Sequence, residues 1–176
     1  VAFVEDTAVP PEDLGKYVAR FQKVLERHQT QACFYGHASV GCLHLRPLIN
    51  LKNESGVRKM VEISRAVKDL VVEFKGAMSS EHGDGLSRSH YNRELFGDRL
   101  YQAFRSIKAA FDPAGIMNPG KIVDAPPMTE NLRLGPRYSV RPVSTYFDFT
   151  REGGLAGATE QCSGIGECRK LGSGTM

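Results

Sequence analysis

Apolar residues recur with a helical period in the first half of the chain. A stripe with spacings of three and four predicts an amphipathic helix beginning near Glu12, and it is formed by Leu14, Val18, Phe21 and Leu25. Residues 53–76 predict a longer helix, with Asn53 or Ser55 as its N-cap and Gly76 at its end. The buried face expected for this helix comprises Val57, Met60, Val61, Val67, Leu70, Val71 and Phe74.

In residues 30–51, "TQACFYGHASVGCLHLRPLINL", apolar and polar residues instead alternate with a period of two, which predicts a pair of β-strands. A turn centred between Val40 and Gly41 would set His37 opposite His44, and it would also pair Tyr35 with Arg46 and Ser39 with Cys42. Directly opposed Cβ atoms lie about 4.5–5.5 Å apart, close enough for two histidines to share one cation. The alternation predicts an apolar face with Phe34, Ala38, Leu43 and Leu45, and a polar face with both histidines.

The mixture of strands and helices predicts the fold class. Residues 1–9 begin β-rich, and residues 97–111 predict another helix that stops at Asp112-Pro113. Its apolar side would comprise Leu100, Phe104, Ile107 and Phe111. Because no steady βαβ rhythm is present, we expect an α+β fold in which helices cover an antiparallel sheet. Three segments are expected: a domain over residues 1–124, a polar, proline-rich linker over 125–150, and an irregular tail over 151–176.

Composition and charge narrow the function classes. The net charge of +3 is spread along the chain, which does not indicate nucleic-acid binding. No apolar run approaches the roughly 18 residues of a membrane helix. Four cysteines in 176 residues do not make a disulfide scaffold, so Cys33 and Cys42 are expected to be reduced in a cytoplasmic setting. Since the chain starts with Val and lacks a leader pattern, we expect it to be part of a longer protein.

A second polar loop, "SSEHGDGLSRSH", follows the long helix. Glu81 could complete a His/His/carboxylate metal site with His37 and His44, and His82 could then serve as a base. Two alternatives stay open at this point. The histidines could be half-exposed sheet residues without a ligand, and "HGDG" could be a tight turn that uses glycines at positive φ.

Three motifs in order, "GHASVGCLH", "EHGDGLSR" and "FDPAGIMNPGKIV", carry a resemblance. Together they resemble the C-terminal cap domain of FAD-linked 2-hydroxy-acid oxidases and dehydrogenases in the vanillyl-alcohol oxidase/p-cresol methylhydroxylase superfamily. The family form of the first motif is Gly-His-x-Gly-Asp-Gly-Asn-x-His, so Ser39, Val40 and Cys42 depart from it while both histidines remain. These three departures are similar to those of the family branch whose members are fused to an iron–sulfur domain. The tail segment "CSGIGECRK" resembles the start of that iron–sulfur domain.

The resemblance implies an α+β, ferredoxin-like cap that oxidises a D-2-hydroxy acid such as D-2-hydroxyglutarate or D-lactate. It implies a divalent metal, with zinc expected, on His37, His44 and Glu81, and a general base at His82. Asn118 and Lys121 would approach FAD, most of which would lie on a preceding domain. Our own suggestion for the substrate carboxylate is Arg46, with Tyr35 beside it on the same face.

The two cysteines of the tail bear on electron transfer after the flavin. Cys162 and Cys168 would supply two ligands of a 4Fe-4S cluster whose other ligands are expected beyond residue 176. The sequence does not specify the electron acceptor. The protein could associate with a membrane through that acceptor, and it could form a dimer. Two other functions also stay open: a catalytically silent electron-transfer or assembly module, and a metal-free pocket that binds an anion.

Overall fold

The computed structural model describes residues 2–169. The chain divides into two units, Val1–Arg137 and Tyr138–Met176. The expected tail segment, residues 151–176, falls in the second unit, and its last seven residues lie outside the described range. Across the part of the chain that is described, none of the helices is both long and apolar enough to span a membrane.

The first unit contains a three-stranded antiparallel sheet in the order β1-β3-β2. Its strands are β1 (Thr7–Ala8), β2 (Ala32–His37) and β3 (Cys42–Pro47), and a single bridge joins Ala8 to Ala77 on the free side of β1. The α-helices found within residues 2–169 are α1 (Leu14–Arg27), α2 (Glu54–Glu73), α3 (Gly85–Arg88), α4 (Asn92–Phe111) and α5 (Gly154–Glu160). The predicted α+β class with an antiparallel sheet is therefore confirmed.

The core forms where α1 and α2 pack against the sheet. Tyr17, Phe21, Ile63, Val67 and Leu45 are among its fully buried side chains. The buried Tyr17 hydroxyl donates to Thr7 Oγ1 over 2.9 Å, which satisfies its polar end inside the core and ties α1 to β1. Burial raises the pKa of Tyr17 far above its ordinary value, so the phenol stays neutral.

Both ends of α2 depend on local chemistry. Asn53 is the N-cap, and its side-chain oxygen accepts from Gly56 N over 2.7 Å, as one of the two predicted caps requires. At the other end, Lys75 takes the positive φ of 53°, whereas Gly76 was the predicted terminator. Gly76 has a different role, because a Cβ there would lie 2.2 Å from the main-chain oxygen of Ala8. Glycine thus lets the chain after α2 approach β1.

The predicted hairpin register is wrong by two residues. Tyr35 lies opposite His44, Cys33 opposite Arg46, and His37 opposite Cys42. The reason is the turn: residues 38–40 form a 3₁₀ turn that Gly41 closes with φ +68°, so the loop comprises residues 38–41. A shift of two leaves the side chains of β2 and β3 on their predicted faces, because side chains alternate with period two. Ala38 is the exception, since it was predicted on the apolar face but lies in the loop.

Helix α4 differs most from its prediction. It begins at Asn92 rather than at residue 97, and Gly97 interrupts it with φ 74° and ψ 164°. The apolar side is largely exposed, with Leu100, Ile107 and Phe111 exposed by 52%, 59% and 79%. The periodicity therefore predicted that this segment is a helix. It did not predict that the apolar side of the helix is left largely uncovered by the described residues.

Replacing Gly41 with alanine should destabilise the domain. A non-glycine residue at this φ costs about 1–3 kcal/mol, and its Cβ would lie 1.8 Å from the main-chain oxygen of Val9. The matched control is Gly15→Ala in α1, where nothing lies within 4 Å and alanine is the better helix former. Urea unfolding should show a loss of free energy for Gly41→Ala and a slight gain for Gly15→Ala. Equal effects would contradict the role of the turn.

Candidate active site

The loop of residues 79–82 is held by one buried carboxylate, Asp6. The Asp6 oxygens accept from the hydroxyls of Ser79 and Ser80, each over 2.8 Å. They also accept from the main-chain N–H groups of Ser80, Glu81 and His82, over 2.9 to 3.2 Å. Asp6 is fully buried, so it shapes the loop from beneath and fixes where the side chains of Glu81 and His82 begin.

The charge of Asp6 is stabilised by these donors. Burial alone would raise its pKa, but the hydrogen bonds from His82 N–H, the two serine hydroxyls and Glu81 N–H hold the pKa of Asp6 below its ordinary value. The buried Arg88 adds its guanidinium, with Nη2 3.9 Å from Asp6 Oδ2. Asp6 is therefore an ionised internal anchor.

Three histidines meet one carboxylate oxygen above this anchor. Glu81 Oε1 lies 3.0 Å from His44 Nε2, 3.3 Å from His37 Nε2 and 3.3 Å from His82 Nε2. The structure thus brings together all four residues that the sequence predicted for metal binding and base catalysis. Their arrangement comes from two sources, because His37 and His44 project from the hairpin and the other two from the anchored loop.

His44 is the most constrained of the three imidazoles. Its side chain is only 3% exposed, and its ring stacks on His82 with centroids 4.6 Å apart and planes 9° from parallel. His44 Nδ1 lies 3.1 Å from the main-chain oxygen of Glu5, which can only accept. Nδ1 must therefore carry the hydrogen, which leaves the lone pair of a neutral ring on Nε2, pointing at Glu81. Metal-ligating histidines are commonly oriented in this way.

The contact between His44 Nε2 and Glu81 has a chemical consequence. In the neutral ring a nitrogen lone pair would face a carboxylate oxygen at 3.0 Å, which is repulsive. A proton or a metal cation between the two atoms removes the repulsion. The donor set of imidazole nitrogens and one carboxylate suits zinc and other divalent transition metals, so these residues fit a cation.

His82 is held from the other side by a carboxylate. Its Nδ1 lies 2.9 Å from Glu5 Oε1, and this hydrogen bond is the main reason that the pKa of His82 is raised. Burial would raise the pKa of Glu5, but its contacts with His82 and Arg46 outweigh burial and lower it. His82 Nε2 faces Glu81 and the half-open side of the site.

Arg46 and Tyr35 lie beside these groups on the same face of the hairpin. Arg46 Nη2 is 3.2 Å from Glu5 Oε2, and its guanidinium carbon is 5.4 Å from the centre of the Tyr35 ring. Half of the Arg46 side chain remains exposed, so it keeps donors available to an anion. Tyr35 in turn contacts His44, with ring centroids 5.0 Å apart.

A group of four candidate ligand residues has its ligand atoms mutually within 4.8 Å: Asp6, His44, Glu81 and His82. This group differs from the predicted set of His37, His44 and Glu81. Because Asp6 already accepts from five loop donors, it is better explained as the anchor of the loop than as a ligand. His37 reaches Glu81 from the exposed rim.

Sequence reasoning missed Glu5 and Asp6. They are two consecutive acidic residues within the apolar, β-rich segment "VAFVEDTAV", and both are buried. Acidic residues are rarely buried unless they are paired, so this pattern was the available signal. Its meaning required the fold, because the partners of Asp6 are more than 70 residues away along the chain.

A protein-family model described as "FAD linked oxidases, C-terminal domain" matches residues 1–122 of this chain. The chain belongs to this family. The predicted resemblance to FAD-linked oxidases is thereby confirmed.

Curated relatives of this FAD-linked oxidase domain include three dehydrogenases. The D-2-hydroxyglutarate dehydrogenase of Haemophilus influenzae is 41% identical over 122 residues, covering 69% of this chain and 12% of that protein. The enzyme of the same name from Pseudomonas putida is 44% identical over 120 residues, covering 68% and 12%. The D-lactate dehydrogenase of Archaeoglobus fulgidus is 34% identical over 120 residues, covering 68% and 26%. The chain thus spans about an eighth of the length of the first two relatives.

The oxidase domain ends in a turn that contains Asn118 and Lys121. Asn118 is exposed and has φ +47°, and Lys121 Nζ donates to the main-chain oxygen of Pro119 over 3.2 Å. Exposed apolar side chains flank the turn, namely Ile116, Met117 and Ile122. Ile122 itself has φ +64°, held by Ser89 and Asn92, which bond its main-chain N–H and oxygen.

None of the four cysteines forms a disulfide within the described residues. Burial raises the pKa of Cys42, whose sulfur lies 3.0 Å from Ser80 Oγ, so a thiolate ligand at this position is disfavoured. Cys162 and Cys168 are exposed in the second unit, and Cys162 Sγ accepts from Gly164 N over 3.3 Å.

Proposed function

We propose that this chain is the substrate-side domain of an FAD-dependent dehydrogenase that oxidises a D-2-hydroxy acid to the 2-oxo acid. The observation that carries the proposal is the meeting of three imidazole nitrogens at one Glu81 oxygen, beside the half-exposed Arg46. The names of the relatives point to D-2-hydroxyglutarate as the first substrate to test and to D-lactate as the second.

His37, His44 and Glu81 are the residues proposed to hold a divalent metal, with zinc as the first candidate. The orientation of His44 by the Glu5 carbonyl supports this assignment, because its Nε2 is then available as a ligand. Bound there, such a cation would act as a Lewis acid and lower the pKa of the substrate hydroxyl. Glu81 Oε1 lies within 3.3 Å of the Nε2 atom of all three histidines, which explains why its side chain is the centre of the proposed site.

The remaining polar residues are assigned to the substrate. Arg46 presents a planar fork that matches a carboxylate, and the adjacent Tyr35 ring limits where that fork can lie. His82 is the proposed general base, which accepts the proton of the substrate hydroxyl at Nε2. Its Nδ1 hydrogen bond to Glu5 supports the base role, because a carboxylate stabilises the imidazolium that forms.

The turn with Asn118 and Lys121 is the proposed contact with the flavin. Its exposed apolar neighbours, above all Ile116 and Met117, fit the edge of a planar aromatic ring system. FAD bound there would supply the two-electron acceptor for the substrate, taking up its α-hydrogen as a hydride. Asn118 would contribute a side-chain amide to that edge, and Lys121 a positive charge.

Onward electron transfer is a further part of the proposal. Cys162 and Cys168 are exposed thiols in the second unit, and they would supply two of the roughly four thiolates that a 4Fe-4S cluster needs. Other cysteines would have to complete the set. The final electron acceptor, a dimer and a cytoplasmic location stay predictions.

His82→Ala provides the test of the proposed reaction. We expect the variant to keep its metal and to lose about 10²–10⁴ in turnover, because general-base catalysis is typically worth that much. Turnover of D-2-hydroxyglutarate and D-lactate should be measured on the intact flavoprotein, together with elemental analysis. An unaltered protein that binds substrate anions without metal and oxidises neither acid would instead support the metal-free anion pocket.

A further inference from the structure

Glu5 contacts three residues of the site at once. Its Oε1 lies 2.9 Å from His82 Nδ1, its Oε2 lies 3.2 Å from Arg46 Nη2, and its main-chain oxygen lies 3.1 Å from His44 Nδ1. Glu5 is only 9% exposed, so it serves these neighbours rather than solvent. Glu5 therefore contacts the proposed base His82, the proposed substrate-binding residue Arg46 and the proposed metal ligand His44.

All three oxygens of Glu5 can only accept hydrogen bonds. His82 Nε2 also faces an acceptor, Glu81 Oε1, but at 3.3 Å this contact is longer than the 2.9 Å contact of Nδ1 with Glu5. The shorter contact assigns the hydrogen of neutral His82 to Nδ1 and its lone pair to Nε2, where a cation bound to Glu81 would remove the repulsion. In this tautomer His82 can accept a proton at Nε2, the atom that faces the site. The opposite tautomer would present an N–H group there and could not act as the base.

We propose that Glu5 is a positioning residue that selects the base-competent tautomer of His82, an inference that rests on the proposed function. In the reaction the hydroxyl proton of the substrate moves to His82 Nε2, and the Nδ1 hydrogen stays bonded to Glu5. Arg46 has a part in this arrangement, because it occupies Oε2 and leaves Oε1 for His82. The main-chain oxygen of residue 5 continues to orient His44 whatever side chain is present.

Glu5→Gln separates this role from a merely structural one. Arg46 can only donate, so it should draw the glutamine oxygen to the position of Oε2 and leave the NH₂ group facing His82 Nδ1. That NH₂ group donates, which forces the hydrogen of His82 onto Nε2. Glu5→Gln should therefore damage turnover more than Glu5→Ala, although glutamine is the closer match in shape.

The expected kinetic results are specific. Glu5→Ala should lower kcat by about 10–100-fold, as the loss of an orienting hydrogen bond commonly does. Glu5→Gln should lower kcat further. A carboxylate-to-amide exchange that inverts the tautomer of a catalytic histidine can cost up to about 10⁴-fold in kcat. Metal content should match the unaltered protein in both variants. A smaller loss in Glu5→Gln than in Glu5→Ala would overturn the proposal and indicate a packing role.

A second readout does not depend on turnover. Imidazole ¹⁵N chemical shifts should show His82 with hydrogen on Nδ1 in the unaltered protein and on Nε2 in Glu5→Gln. Unchanged His82 shifts in Glu5→Gln would overturn the role of Glu5. Absent oxidation of 2-hydroxy acids by the unaltered protein would overturn the proposed function instead, so the two failures are distinguishable.

Two further variants control for folding and for Arg46. Glu73→Gln removes an exposed carboxylate that pairs with Arg20 on the helices, and it should leave kcat and the His82 shifts unchanged. In an Arg46→Met background the glutamine can turn its oxygen to His82, so the kcat loss caused by Glu5→Gln should be smaller there. An equal loss in both backgrounds would contradict the proposed role of Arg46 in orienting residue 5.

Discussion

Replacing His44 with alanine is expected to remove the metal from the protein and with it nearly all turnover. His44 is the buried member of the proposed ligand set, and its ring is fixed by the Glu5 carbonyl and by stacking on His82. Changes to groups that merely orient a ligand cost about 10–100-fold in metal affinity, so loss of the ligand itself should exceed that range. His37→Ala and Glu81→Ala should lower affinity in the same direction.

The three ligands should also act as one unit. Once one change has emptied the site, a second removes little more, so His37→Ala/His44→Ala should lose barely more turnover than either single variant. His28→Gln is the matched control, because His28 lies at the end of α1 and pairs with Glu62. Elemental analysis and titration with Zn²⁺ provide the measurements. Full metal occupancy in the double variant would exclude this site.

Asp6→Ala is expected to have the largest effect on stability. The change leaves five donors of the 79–82 loop without their acceptor, and it leaves the buried Arg88 without its carboxylate. Removing one partner of a buried charged pair costs on the order of 3–5 kcal/mol. Asp98→Ala is the control: Asp98 and its partner, Arg93, are both exposed, so this change should alter stability far less than Asp6→Ala does.

The contribution of Asp6 should depend on pH in a defined direction. Its pKa is lowered in the folded protein, so its stabilisation is complete above the pKa of an unfolded aspartate, near about pH 4. The stabilisation is lost as pH falls through the lower, folded-state pKa. Urea unfolding at pH 7 and near pH 3 should show a smaller difference between the unaltered protein and Asp6→Ala at the acidic pH. A difference that does not shrink would contradict Asp6 as an ionised anchor.

Much of the fold was predictable because hydrophobic periods are local. The stripe in α1, the Asn53 cap of α2 and the two faces of the hairpin all follow from neighbouring residues. The motifs with His37, His44, Glu81 and His82 were likewise visible in the sequence, which predicted that the first three share a cation and that His82 lies beside them. That three histidines meet at one Glu81 oxygen was visible only in the structure.

The hairpin register was decided by tertiary structure. A shift of two residues leaves every side chain on the same face, so the alternation of apolar and polar residues cannot distinguish the two registers. The 3₁₀ turn and Gly41 resolve this, and Gly41 is held where its oxygen accepts from Val9 N over 3.1 Å in the neighbouring segment. That contact lies outside the hairpin and was not available to a local pattern.

The sequence by itself therefore determined the elements, their apolar faces and the chemical types of the candidate ligands. Tertiary structure decided how those ligands are oriented, since Glu5 and Asp6 act on residues about 40 to 75 positions away. Hydrogen bonds at such separations leave no period in the sequence, because they depend on which surfaces meet after β1, the hairpin and α2 have packed. For this reason the two buried acids that hold the site together were found only in the folded chain.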